Sequence, residues 1–244
     1  MRATARCGLG RGGWRSDFDE AIAMSRPVDP TTYVTIVMFK YVYGLVHGAL
    51  TVDAEADLET ADALSTAQQC SEDFALRAAQ LTRGLVLTRT PGVEQQGWEL
   101  LGEARDAAAL GRFVASATLV VDMQTAEGVL AAGDVDSAIT SVRGIVERQS
   151  STGAALYRAP ATELLVRALL TRGTENDVAS ARDVVATFAG VPCATTGRGR
   201  LALQRMRLAL PAGQWTNPIG SAPAGAQASP IGSDSRRPPS PEVS

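Results

Sequence analysis

Apolar residues recur at three- and four-residue intervals along most of this chain, and the strict alternation of a half-buried strand is found nowhere. The pattern predicts a short helix from Asp17 to Ser25, stopped by Arg26-Pro27. A long apolar helix follows, with Thr31 or Thr32 as its cap. Asp53 caps the next, which opens on the acidic turn AEADLE and runs to about Cys70. Ser71 is placed to cap a helix through Leu87. Further helices are expected at Val93 to Leu110, Ala115 to Ala132, Val135 to Gln149, Pro160 to Arg172, Asp177 to Ala189 and Leu201 to Leu210. Thr90-Pro91-Gly92, Gly111, Gly133-Asp134, Ser150 to Gly153, Gly173 to Asn176 and Gly190 to Gly199 separate them.

Short connections between helices of similar length make sequential helices antiparallel neighbours. The triplets ending in Ala21, Ala61, Leu101, Ala138 and Ala181 open successive helices about 40 residues apart, the length of a helix pair. Small residues at such points let two backbones cross closely. The expected fold is all-α, with antiparallel helix-pair repeats forming a tetratricopeptide-like (TPR-like) α-solenoid over residues 16–211. A flexible tract is expected over 1–15. From 212 to 244 the chain turns to Pro, Ser, Gly and Ala, with too little apolar surface to offset its ordering entropy, and a disordered tail is expected.

Composition narrows the function classes. Hydrophobic residues make up 45% of the chain, aromatic residues only 5%, and the net charge is −3. That balance is wrong for a nucleic-acid binder driven by phosphate neutralisation. Cys7, Cys70 and Cys193 are too far apart for a CxxC site, which suggests free thiols in a reducing cytoplasm. Residues 1–14 carry positive charge without a following apolar region, so no secretory signal is expected. The run from Tyr33 to Val52 has the length of a membrane span, but Lys40 and His47 lie inside it. At 100° per residue Ile36, Lys40, Tyr43 and His47 share one face, and a buried helix with one polar stripe is the better reading.

Catalytic equipment is sparse. His47 is the sole histidine, which excludes a two-histidine metal centre, and the sole lysine, Lys40, stands outside any phosphate-loop motif. Gly8, Gly10 and Gly13 fit GxGxxG, yet nothing strand-like precedes them. No catalytic residue, metal or cofactor is assigned. The basic stretch GRGRLALQRMR is read as a solvated face for Arg198, Arg200, Arg205 and Arg207, with Leu201, Leu208 and Ala209 turned inward.

The motifs AAGDVDSAI, LVRALLTRG and DVASAR, within a stretch from about Trp14 to Leu210, resemble the C-terminal TPR-like helical region of large bacterial signalling proteins. Those proteins join a class III adenylate/guanylate cyclase domain to a STAND-type ATPase. Neither the cyclase aspartates nor the ATPase phosphate loop is present here, so no catalytic residue carries over. The resemblance implies a non-enzymatic, cytoplasmic interaction or regulatory module, standing alone or as a piece of such a protein. A protein or peptide partner on the concave face is expected, with Ile36, Lys40, Tyr43 and His47 as candidate binding residues. Replacing Tyr43 and His47 by alanine should then weaken capture and spare stability. The alternatives are an accessory part of a cyclase complex and a fragment of a transcriptional regulator.

Overall fold

The computed structural model describes residues 2–152, 155–195 and 197–210, and these fall within one compact unit, Met1–Pro211. The tail expected to be disordered lies outside the described residues. Eleven α-helices are present among the described residues, and no strand. They are α1 (Arg2–Gly8), α2 (Trp14–Ser25), α3 (Pro30–Val46), α4 (Ala54–Gln69), α5 (Asp73–Leu87), α6 (Glu94–Ala109), α7 (Ser116–Ala131), α8 (Val135–Thr152), α9 (Arg158–Arg172), α10 (Glu175–Ala189) and α11 (Gly197–Ala209).

Each helix packs on the next, as short loops require. Beyond these neighbours, α1 packs on α3, α3 on α5, α5 on α7, α7 on α9 and α9 on α11. The odd-numbered helices therefore form a continuous row, and each even-numbered helix lies outside it. This is a stack of helix pairs, the all-α repeat fold expected from the periodicity. Burial follows the same division from α2 to α10, while α11, at the end of the row, buries four residues. Nine residues of α3, ten of α5 and eight of α9 are buried, against three of α2, four of α4 and four of α10. An apolar helix such as α3 is thus a helix of the inner row, and no described helix is long and apolar enough to cross a membrane.

The outer helices carry one buried stripe in a shared register. Ala56, Thr60, Ala63 and Ala67 of α4 correspond to Gly97, Leu101, Ala104 and Ala108 of α6, and to Ala138, Val142, Ile145 and Gln149 of α8. This corrects the triplets read from sequence, in which exposed Ala61 was equated with buried Leu101. The small residue belongs at the first position of the stripe, where helices cross. At Gly97 a Cβ would come within 2.5 Å of the Thr88 backbone nitrogen and 3.0 Å of the Gly84 carbonyl, so α5 and α6 touch backbone to backbone.

Several local expectations change. Asp29, not Thr31 or Thr32, caps α3, accepting from the Thr32 amide at 3.1 Å with Pro30 at the first helical position. Asp53 caps α4 as expected, accepting from the Ala56 amide at 2.8 Å. Thr174 and Asp177 form a capping box that starts α10 two residues before the expected Asp177. Asp73 opens α5 with no side-chain cap, so Ser71 does not serve. The tract expected to be flexible contains α1, because Ala3 and Cys7 pack one face against Trp14 and Phe18. On α11 the inward residues are Ala202, Leu203 and Met206, whereas Leu201 and Leu208 are exposed, Leu208 by 78%. Helix α11 begins at Gly197, four residues before the expected Leu201, and the face it turns to α9 carries Ala202, Leu203 and Met206.

Candidate functional site

The row of odd helices curls until its ends meet. The Arg198 side chain of α11 donates from Nε to the Cys7 carbonyl of α1 at 2.5 Å. A Cβ on Gly197 would fall 2.5 Å from the Gly8 carbonyl oxygen. Further along, Tyr157, at the start of α9, stacks on His47 with ring centroids 6.2 Å apart and meets Tyr43 at 6.3 Å. Inside this curve lies a cavity of about 720 Å³. Its walls come from the C-terminal ends of α3 and α5, the middle of α7, the length of α9 and the last turns of α11. The floor is apolar: Leu45, Val120, Met123, Leu164 and Met206 line it.

Five charged side chains stand on those walls. Arg89 and Arg167 flank one carboxylate, Glu127, at 3.3 Å to Oε2 and 2.6 Å to Oε1. Arg205 forms a two-pronged pair with Glu163 at 2.5 and 2.6 Å. Burial lowers the pKa of Arg89, and the Glu127 carboxylate opposes that shift. The Arg205–Glu163 hydrogen bond raises the pKa of Arg205. Gln124, one turn before Glu127 on α7, is 6% exposed, and its Oε1 has no hydrogen-bond partner among the described residues. Burial, then the positive charges of Arg198 and Arg205, push the His47 pKa down to about 4, so the imidazole is neutral at neutral pH.

The four residues chosen from sequence are distributed differently. Only His47 lines this cavity. Ile36 packs into the core, and Tyr43 is half-buried between Phe39, His47 and Tyr157. Replacing Tyr43 and His47 therefore removes packing, and stability would not be spared as expected. Lys40 is 3% exposed, and its ammonium meets Glu59 of α4 at 2.7 Å and Asp19 of α2 at 2.9 Å. Burial alone would lower the Lys40 pKa, but the Glu59 and Asp19 hydrogen bonds outweigh it and raise it above the ordinary lysine value. The single lysine is thus a tie between three helices.

Arg83 repeats the device one helix pair later, reaching Asp57 of α4 at 2.6 Å. The basic face of α11 is partly engaged, by Arg198 at α1 and Arg205 at the cavity. Sequence reasoning missed Arg89, Gln124, Glu127, Glu163 and Arg167, which resemble ordinary surface residues of amphipathic helices. One signal was available: the opposite charges that pair here lie 38, 40 and 42 residues apart, close to one repeat. Among the described residues no cluster of His, Cys, Asp and Glu could hold a metal ion, and the three cysteines are unpaired. No known protein family, curated protein or solved structure matches this chain.

Proposed function

We propose that this chain is a non-catalytic helical-repeat interaction module, and that the inner row of odd-numbered helices is its binding face. One observation carries the reading: every residue lining the 720 Å³ cavity belongs to an odd-numbered helix or to the residues just past its end. Repeat stacks present such concave surfaces to proteins, peptides and small ligands, and the volume falls within the roughly 300–1,000 Å³ usual for ligand pockets. The ionisable groups of the cavity pair with one another, and His47 stacks neutral on Tyr157, an arrangement suited to recognition rather than to turnover. Unpaired cysteines accord with a reducing cytoplasm, and the motif resemblance with a role in bacterial signalling.

The test uses Ala209, exposed at the end of α11 and lining the cavity. Small-molecule and peptide libraries are screened by thermal shift against the wild type and A209W, whose indole fills the space. Ligands that stabilise the wild type and lose their effect in A209W support the reading. Stabilisation equal in both proteins by every ligand found would overturn it.

A further inference from the structure

The charges inside the cavity do not balance. Three arginines, Arg89, Arg167 and Arg205, face two carboxylates, Glu127 and Glu163. Arg205 and Glu163 satisfy each other through two parallel hydrogen bonds. The surplus positive charge therefore lies at the other group, where Arg89 and Arg167 share Glu127 between them. Arg89 is only a quarter exposed, so water screens that charge incompletely.

On the same face of α7, one turn away, the buried Gln124 Oε1 accepts no hydrogen bond among the described residues. A buried acceptor without a donor is a standing cost. An occupant with an N–H or O–H relieves it once the Gln124 carboxamide turns its Oε1, closed to solvent in this structure, toward the cavity that the residue lines. The apolar floor supplies the rest of the surface. Charge, orphaned acceptor and apolar lining thus belong to residues of one cavity.

We propose that the cavity binds a small organic monoanion: a carboxylate joined to an apolar body, with a hydrogen-bond donor beside the carboxylate. The carboxylate sits at Arg89 and Arg167, the donor is received by Gln124, and the body lies against Met123, Leu164 and Met206. A single surplus charge favours a monoanion over a dianionic phosphate, which would bring excess negative charge beside Glu127. This ligand class rests on the binding role proposed above for the inner row.

N-octanoylglycine has all three features and serves as the probe. Its methyl ester keeps the body and the amide N–H but loses the charge, and decanoate keeps the charge but loses the N–H. Titration calorimetry on the full chain should show one site that prefers the acid to its ester by about tenfold or more, the scale of a charge-assisted hydrogen bond. Decanoate should bind between the two. Arg167→Met, at an exposed position, should reduce the preference for acid over ester to near unity, and Glu127→Gln should widen it. Circular dichroism establishes that each variant is folded.

Equal affinity for acid and ester would overturn the carboxylate assignment. If that affinity also vanished in A209W, the cavity would stand as a binding site. Affinity that persisted in A209W would remove both readings. Absence of binding by all three probes at millimolar concentration would overturn this ligand class, leaving the library screen to decide the role of the cavity.

Discussion

The two rows contain helices of similar length but obey different rules. Helix α5 buries ten of its 15 residues, whereas α4, of 16 residues, buries four. A helix with one buried stripe can be recognised by its periodicity, because its apolar positions mark one face. Helices α3 and α7 of the inner row are apolar almost all round, and their sequences do not reveal which face meets which partner. The outer row therefore carries the register of the repeat. The inner row carries the core, and its remaining open face becomes the cavity.

The sharpest way to break this contrast is at the crossing of the rows. Gly97→Val forces a branched side chain into the Gly84 and Thr88 backbone, and should cost about 3 kcal/mol or more in denaturant melts. A cost below about 1 kcal/mol would mean that α5 and α6 do not touch there. Next in size is the tie between rows. Lys40→Met leaves Glu59, 18% exposed, without its cation, and should destabilise by about 2 kcal/mol. An unchanged midpoint would remove the tie.

His47 offers a test by pH. Its folded pKa of about 4 lies below the usual value of 6.5, so as pH falls through that window the unfolded chain takes up a proton that the folded chain refuses. The stabilising contribution is present above about pH 6.5 and is lost towards pH 4. Relative to His47→Gln, the wild type should lose on the order of 2 kcal/mol across that range, and the two should run parallel at higher pH. Parallel curves throughout would place His47 in water.

Smaller effects sharpen the same contrast. Gly102 lies on α6 with open space around it, so Gly102→Ala should stabilise by about 0.5–1 kcal/mol, opposite in sign to the change at Gly97 on another face of the same helix. Leu208→Asp, on the exposed face of α11, should shift stability by no more than about 0.5 kcal/mol. A large loss would return Leu208 to the inward position that the periodicity suggested.

What the sequence revealed follows from these rules. The helices, most of their breaks and the cap at Asp53 were legible because turn residues and caps act locally. The register of the repeat was misjudged because an alanine-rich chain offers many equivalent starting points, and only contact distinguishes Ala56 from Ala61. Lys40 stood out as the only lysine in an apolar helix, but Asp19 and Glu59, which explain it, come from two other helices. The cavity was invisible for a related reason. Arg89, Glu127 and Arg167 meet only when three helix pairs stack, and nothing local distinguishes them from solvated charges. His47 was singled out and does line the cavity, whereas Tyr43, four residues earlier, turns towards Phe39 and Tyr157.

The division into two rows is tested most directly by backbone amide hydrogen exchange on the intact chain. An inner row enclosed on several sides opens only with much of the molecule, while an outer helix can fray alone. Amides in the middle of α3, α5, α7 and α9 should exchange about tenfold or more slowly than those in the middle of α2, α4, α6 and α10. Equal protection in the two sets, or slower exchange in the even-numbered helices, would contradict the inner row and the cavity built upon it.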